Sequence, residues 1–296
     1  MSDQPLHIKA LEITKQVIRP FTQAIAGFLE DNGLVMAGHL AFIGLLSMFP
    51  FLIFLVSLAG FVGQTDAGQT ATALAFDSMP ELVRSVLEPP IQEVISRTRG
   101  DLMTLSALFA IWTSATGFEA VRTVLNQAFN AQEHRPIWRR RGMSAIYVIG
   151  FAGFIVLGVM LLVVGPLVFR AARDLLDVPE FWAFLWAALR YGLTSIVFLF
   201  VISMLYRLLP AKKLAWRYII PGAFLAQILW LASASGFSFY LKYAEDYAVT
   251  YGSLGGIIIA LLFFYVMGAI FIMGAEFSAA LAHIYDKRHG QDDHPN

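Results

Sequence analysis

Six long apolar stretches, separated by shorter charged segments, dominate the pattern of this chain. A helix that crosses the hydrocarbon core of a bilayer needs about 20 mainly apolar residues, so such stretches are typical of transmembrane helices. The pattern predicts spans at residues 40–62, 102–118, 142–169, 181–206, 218–241 and 249–282. The expected fold is therefore an all-α polytopic membrane protein with six transmembrane helices.

The segments outside these spans are more polar. Residues 1–39 are predicted to form an amphipathic cytoplasmic segment, in which apolar residues such as Phe21 and Phe28 recur at helical spacing. This helix either lies in the membrane interface or packs as an ordinary cytoplasmic helix. Residues 64–101 carry too many charges for a seventh span and are predicted to form a periplasmic loop with short helices, and residues 285–296 form a polar tail. The membrane domain is expected at 40–284.

The basic residues predict the orientation of the spans. Fourteen Lys and Arg residues fall on the side of the two termini and six on the other side, while Arg190 lies within the fourth span. Short cytoplasmic loops carry an excess of Lys and Arg. Both termini are therefore expected to face the cytoplasm, which agrees with an even number of spans.

Composition narrows the class of function. Hydrophobic residues make up 58% and charged residues 14%, which favours one membrane domain over two soluble ones. The balance of 21 acidic and 21 basic residues gives no net field for a polyanion, so no nucleic-acid partner is expected. Without cysteine, the chain has no disulfide and no thiol nucleophile. The six histidines show no metal-ligand spacing, so neither a metal nor a cofactor is predicted.

Two charged residues within the predicted spans require a physical reason, because an ionised side chain is costly in lipid. Glu276 in the sixth span is expected to turn inward, either as a proton or cation relay or substrate contact, or as the partner of a base such as Arg122 or Arg217. Arg190 in the fourth span either reaches the interface with its long side chain or anchors an anionic head group.

Other polar and helix-bending residues are weaker candidates. Glu119 and Arg122 lie three residues apart on one helical face and are expected to form a local ion pair. His39 is either an interfacial polar residue or a group that titrates near neutral pH. Pro50 is predicted to kink the first span, which is either structural or opens a cavity.

Small residues at the start of the sixth span predict helix packing. Gly252 and Gly256 form a GxxxG pair, and Gly255 adds to it. Such residues let two helix backbones approach closely in a membrane.

Three stretches resemble a known family. HLAFIGLLSMFPFLIFLVSLAG lies at the first span, IWTSATGFEAVRTVLNQAFN follows in the middle of the chain, and TYGSLGGIIIALLFFYVMGAIFIMGAEFSAAL lies at the sixth span. Together they resemble the YihY/BrkB family of bacterial inner-membrane proteins over nearly the whole chain. The resemblance implies six helices in the inner membrane and an unsettled activity, for which a ribonuclease label, serum resistance and envelope lipid handling have each been suggested.

The residues favour some of these functions over others. RNA cleavage needs a metal or an acid–base pair beside a basic, aromatic surface, whereas Trp138 and Arg139 to Arg141 lie where a cytoplasmic anchor is expected. We therefore expect no enzymatic activity. Transport or translocation of an envelope lipid or another amphiphile fits the kinked helices and the charges within the spans. A membrane scaffold or assembly factor, acting with itself or with an envelope protein, is the alternative.

Overall fold

The computed structural model describes residues 6–63, 70, 100–159, 180–243 and 253–288, and the regular elements in this part of the chain are helical. The helices are α1 (Leu6–Glu30), α2 (Gly33–Gly63), α3 (Gly100–Ala128), α4 (Ile137–Val159), α5 (Glu180–Leu208), α6 (Trp216–Tyr243) and α7 (Ser253–Arg288). The all-α fold class is confirmed.

Four of these helices contain a segment that is long and apolar enough to cross a membrane. The segments are Gly33–Leu52, Ala188–Leu208, Trp216–Phe237 and Gly255–Lys287. They overlap the predicted first, fourth, fifth and sixth spans. The second and third predicted spans fall on α3 and α4, so the count of six spans stays a prediction. Nearly all of the expected loop 64–101, together with residues 289–296 of the tail, lies outside the described residues.

The first membrane helix begins earlier than the apolar pattern predicts. Helix α2 starts at Gly33, whereas the span was expected from Leu40. Residues 33–39 contain no Asp, Glu, Lys or Arg, so nothing in this segment opposes a helix. The turn before it is set by Asn32, whose φ of 53° lies in the left-handed region that asparagine tolerates better than most residues.

The chain divides into two compact units. The first comprises residues 1–45, 120–135 and 198–296, and the second comprises residues 46–119 and 136–197. In the first unit, α6 and α7 approach closely where two glycines face each other. A Cβ on Gly222 would collide with the carbonyl oxygen of Gly274 and with the hydroxyl of Ser278, so a larger residue at position 222 would push the helices apart.

The second unit is held by apolar and aromatic packing among α2, α3 and α4. Buried Phe54, Ala115 and Val148 belong to its core. The ring centroid of Phe151 lies 5.6 Å from that of Phe51 and 6.0 Å from that of Phe118. Aromatic pairs at these separations add to the stability that burial alone supplies.

Large apolar side chains also cover the outer surfaces of the helices. Phe42, Ile196, Phe224 and Ile257, one on each of the four apolar segments, are all exposed. In water such surfaces would be costly, whereas hydrocarbon solvates them. The distribution supports a membrane location.

Candidate functional site

Glu276 lies inside the helix packing of the first unit. Glu276 lies on α7 and is only 4% exposed, as expected for a carboxyl group within an apolar helix. Gly27 of helix α1 lies directly against the carboxyl group. A Cβ at this position would lie 2.5 Å from Glu276 Oε2. The small residue therefore leaves the space that the carboxyl group occupies.

The side-chain partner of Glu276 is another carboxyl group. Asp31, in the turn between α1 and α2, forms a side-chain hydrogen bond with Glu276. Two carboxyl groups can share such a bond only when one of them carries a proton. Glu276 Oε1 is buried and has no hydrogen-bond partner in the described part of the chain. A hydrogen bond between these two carboxyl groups therefore requires one proton.

Backbone contacts fix Asp31 in this position. Its N–H donates to the carbonyl oxygen of Gly27 at 2.8 Å, which closes α1. Its own carbonyl oxygen accepts a hydrogen bond of 2.7 Å from Nε2 of Gln127 on α3. The backbone of the turn at Asp31 is thus tied to two helices.

The environment of Asp31 favours its neutral form. Burial raises the pKa of Asp31 above its ordinary value of 3.8, the hydrogen bond with Glu276 acts in the opposite direction, and the negative charge of Glu30 raises the pKa again. Because the folded state binds the proton more tightly than the unfolded state, this group's contribution to stability is lost as the pH rises above 3.8 through the raised pKa.

Neither arginine expected to neutralise Glu276 is its partner. Among the described residues, no basic side chain pairs with Glu276. Arg122, which is 1% exposed, donates from Nε to the carbonyl oxygen of Leu209 at 3.3 Å. Arg217 stacks on two tyrosine rings instead. An ion pair of Glu276 with either arginine is thus not among the described contacts, whereas the interaction with Asp31 is.

A polar network surrounds the loop between α5 and α6. The carboxylate of Glu133 accepts hydrogen bonds of 2.7 Å from both Nε and Nη2 of Arg135 and one of 3.2 Å from Nδ2 of Asn126. Arg135 Nη2 also donates to the carbonyl oxygen of Leu209 at 2.9 Å, and the Ala211 N–H donates to Asn126 Oδ1 at 2.7 Å. The network ties this loop to the segment that follows α3.

The charge of Glu133 is strongly stabilised there. Burial alone would raise its pKa, but the hydrogen bonds from Arg135 and Asn126 and the positive charge of Arg135 lower the pKa from 4.5 to about 2. The stability that this group contributes is present above pH 4.5 and is lost as the pH falls toward 2.

Basic residues outnumber acids in this network. Partial burial lowers the pKa of Lys213, the positive charges of Arg135, Arg207 and Arg122 lower it further, and only Glu133 acts in the opposite direction. The Lys213 ammonium donates to the carbonyl oxygen of Leu208 at 2.7 Å. The shifts indicate a local excess of positive charge beside the ends of α5 and α6.

A groove of about 400 Å³ lies between α1, α6 and α7. It is lined by Pro20, Arg217, Tyr218, Pro221, Phe277, Leu281, Ile284 and Tyr285. The guanidinium carbon of Arg217 lies 3.9 Å from the ring centroid of Tyr285 and 4.7 Å from that of Tyr218. The groove thus combines an apolar lining with one stacked cation.

Glu119 and Arg122, which were predicted to form a local ion pair at the end of the second span, each make a contact with another element of the fold. Glu119, in the second unit, accepts a hydrogen bond of 2.8 Å from the hydroxyl of Ser144. Arg122, in the first unit, bonds to Leu209 as described above. The predicted ion pair between Glu119 and Arg122 stays a prediction.

The other candidates lie on single helices. Arg190 of α5 is half-buried, with its guanidinium carbon 4.7 Å from the ring centroid of Tyr191. His39 is exposed on α2, and that helix continues through Pro50. No described atom lies within 4 Å of a Cβ on Gly256, whereas Gly255 is buried and Gly252 lies outside the described residues. The close approaches involve other glycines, and the functional roles of these candidates stay predictions.

Sequence reasoning missed Asp31, and it named Arg217 only as a possible partner of Glu276 and not as a cation stacked on tyrosine. The run Glu30-Asp31-Asn32-Gly33 between two apolar helices is a turn signal that could have located the first. For Arg217, the signal is a basic residue next to a tyrosine at the boundary of an apolar stretch.

Comparison with known proteins gives a consistent result over most of the chain. The family model described as Virulence factor BrkB matches residues 24–296. The ribonuclease-like protein YfkH of Bacillus subtilis (strain 168) is 33% identical over 251 residues, which cover 84% of this chain and 90% of that protein. A UPF0761 membrane protein of Pseudoalteromonas translucida (strain TAC 125) is 26% identical over 265 residues, which cover 88% and 85% of the two chains. No solved structure matches the chain.

Proposed function

The chain belongs to the BrkB virulence factor family of membrane proteins, and we propose that it binds and translocates a lipid or another amphiphile of the bacterial envelope. In this proposal the protein lies in the inner membrane with six spans and with both termini in the cytoplasm. Membrane lipids are its partners, and nucleic acid is not.

The observation that carries this proposal is the buried carboxyl group of Glu276 on α7, with Asp31 as its side-chain neighbour. A buried carboxyl group in an apolar helix is costly, and such groups mark proton relays and substrate pathways in membrane proteins. The proton is required to keep the two carboxyl groups in contact, so its loss would place two negative charges side by side against α1. Proton release is therefore coupled to the packing of α1 on α7, which gives a mechanism for using a proton gradient.

The contacts on either side of the pair support this coupling. The rings of Phe21 on α1 and Phe277 on α7 lie 4.7 Å apart, and buried Ala24 belongs to the same cluster. Gly27 lies one further turn along α1, directly against Glu276. A separation of the two carboxylates would therefore disturb the face by which α1 packs on α7.

A scaffold is the second candidate. Ile137 and Trp138 at the start of α4 are 68% and 80% exposed, and they precede three consecutive arginines. An exposed tryptophan beside basic residues suits a membrane interface, and it equally suits a contact with a second copy or with an envelope protein. A scaffold, however, has no need for a buried proton.

A ribonuclease is the third class of function to be tested. The B. subtilis relative carries a ribonuclease-like name. We propose that this chain has no such activity of its own, since its exposed Trp138 and the arginines beside it suit a membrane anchor. RNA cleavage by the purified protein with Mg²⁺ would contradict this part of the proposal.

Translocation can be measured after reconstitution into vesicles that contain a fluorescent phosphatidylglycerol, with dithionite added outside to quench the outer leaflet. The wild type is expected to expose inner-leaflet lipid faster than protein-free vesicles. Glu276→Gln is expected to reduce the protein-dependent rate about tenfold or more, which corresponds to about 1.4 kcal/mol in activation free energy.

Glu30→Gln is the matched control, because it keeps both carboxyl groups of the pair and removes only an exposed neighbouring charge, which is the smallest of the causes that act on the pKa of Asp31. It is expected to leave the rate within about twofold of the wild type. Each variant is checked for folding by its thermal melt in detergent. Equal rates for wild type and Glu276→Gln would refute the proton-pair mechanism, and a wild type no faster than protein-free vesicles would favour the scaffold.

A further inference from the structure

The groove between α1, α6 and α7 lies at the ends of two membrane segments. Arg217 and Tyr218 are the second and third residues of the apolar segment Trp216–Phe237, and Tyr285 lies two residues before the end of Gly255–Lys287. The ends of such segments lie at the membrane–water boundary, where lipid head groups are found. Arg217, at the start of its apolar segment, is therefore expected near the depth of lipid phosphates.

The side chains of the groove match the two parts of a phospholipid. Phe277, Leu281, Ile284 and the two prolines supply apolar surface, and arginine is the only charged residue type among the lining residues. Asp286 follows Tyr285 on α7 and acts electrostatically on Tyr218, but it is not among the lining residues. The lining thus combines apolar contact area with a single positive charge.

The stacking of Arg217 prepares it to bind an anion. The Tyr285 side chain also forms a hydrogen bond with Arg217, and because a guanidinium group has five N–H donors, the others remain available to a ligand. Tyr285 holds it closest, at 3.9 Å from the ring centroid. Arginine presents these donors in a geometry that fits phosphate oxygens. The tyrosines therefore orient the cation before a ligand arrives.

The size of the groove limits what it can hold. A volume of about 400 Å³ lies near the lower end of the range of ligand sites, about 300–1,000 Å³. It suits a head group with its glycerol and the first part of a chain, while the remaining chains stay in the bilayer. The exposed apolar Phe224 and Ile228, further along α6, provide the continuing surface.

We propose that this groove binds the head group of an anionic phospholipid, with Arg217 donating to the phosphate and with Phe277, Leu281 and Ile284 contacting the apolar part. The inference rests on the proposed function, for which it names the substrate class and the binding site. Basic sites between transmembrane helices at the cytoplasmic side are suited to acidic lipid head groups.

Binding can be measured by native mass spectrometry of the purified protein in mild detergent, titrated with dioleoylphosphatidylglycerol or with dioleoylphosphatidylcholine. The wild type is expected to retain the anionic lipid preferentially. Arg217→Gln is expected to weaken its binding about tenfold or more, and Arg217→Lys to restore only part of it because an ammonium group provides no planar donor fork.

Arg139→Gln is the matched control, because it removes one exposed positive charge from α4 and leaves the groove intact. Ile284→Trp provides an independent variant that fills the groove and keeps Arg217. It is expected to reduce phosphatidylglycerol binding as Arg217→Gln does. Thermal melts verify that each variant is folded.

The outcomes separate this inference from the proposed function. An equal loss of binding in Arg139→Gln and Arg217→Gln, or unchanged binding in folded Arg217→Gln and Ile284→Trp, would overturn the lipid site even if translocation is observed. Preferential binding that depends on Arg217, in a protein that does not translocate lipid, would support the site and refute the translocation proposal.

Discussion

Substitution of Gly222 by alanine tests the close approach of α6 and α7, which brings Arg217 and Tyr285 together. A Cβ at position 222 would meet the carbonyl oxygen of Gly274, which belongs to the backbone, and the hydroxyl of Ser278. A side chain can rotate away, but a helix backbone can yield only if the helix moves. Gly222→Ala is therefore expected to separate the two helices locally.

The expected cost follows from two opposing effects. Overpacking costs about 1–3 kcal/mol, and two simultaneous contacts place this site near the upper value. The gain in helix propensity from glycine to alanine offsets about 1 kcal/mol. A net destabilisation of about 2 kcal/mol remains, which lowers Tm by about 4–8 °C.

The assay is the thermal melt in detergent, followed by intrinsic tryptophan fluorescence at one scan rate. Gly236→Ala is the matched control on the same helix, because a Cβ there would meet no described atom within 4 Å. It is expected to leave Tm unchanged or slightly raised. The double variant Gly222→Ala with Ser278→Ala is expected to recover only part of the loss, since the clash with Gly274 remains.

The loss of packing also has a functional consequence. Separation of α6 from α7 would move Arg217 away from Tyr285, so Gly222→Ala is expected to weaken phosphatidylglycerol binding as well. If Gly222→Ala melts at the same temperature as Gly236→Ala, the close approach does not exist as described and the reasoning is refuted.

Three further predictions address acid stability, alkaline stability and topology. Glu133→Gln is expected to cost about 1–3 kcal/mol at pH 7 and to abolish the fall in Tm below pH 4.5, as measured by melts across pH, and an unchanged acid dependence would contradict this. The Tm of the wild type is expected to fall as the pH rises above 3.8 through the raised pKa of Asp31. The Tm of Glu276→Gln is expected to fall less, because the glutamine amide donates a hydrogen bond to the ionised Asp31 carboxylate. An equal dependence of Tm on pH in the two proteins would argue against the pair. Because the chain contains no cysteine, Ser2→Cys and Asn296→Cys each introduce a single thiol, and labelling of either by an impermeant maleimide from outside the inner membrane would refute the cytoplasmic termini.

The apolar pattern predicted much of the fold because a membrane imposes a simple length rule on helices. The helical class and the positions of α2, α5, α6 and α7 follow from it. The start of helix α2 at Gly33 was not predicted, because the apolar pattern located only a span from Leu40 and the polar segment before it was extended past the turn at Asn32. Turn chemistry, which depends on single residues such as Asn32, is weaker than a run of 20 apolar residues.

The site was predictable only in part. The cost of a carboxylate in lipid correctly indicated that Glu276 turns inward. Its partner was sought among bases, since opposite charges attract, but Asp31 is another acid and lies 245 positions away in the sequence. A pair of acids becomes favourable only when a proton is shared, and no spacing in the sequence reports that condition.

The groove was missed for a related reason. Arg217 and Tyr285 come from different helices, and their stacking depends on how closely Gly222 and Gly274 let α6 and α7 approach. The predicted glycine motif lies at the start of α7, whereas the groove lies near the end of that helix. Small residues are common in membrane helices, so their spacing alone does not identify which ones are in contact.

Lipid movement across vesicles under an imposed pH gradient tests the central claim most directly. Vesicles with fluorescent phosphatidylglycerol and an internal pH indicator report lipid exposure and proton movement together. We predict that wild-type protein accelerates lipid exposure, that a pH gradient changes this rate, and that Glu276→Gln removes the effect of the gradient while Glu30→Gln keeps it. Lipid exposure equal to that of protein-free vesicles, with or without the gradient, would contradict the account.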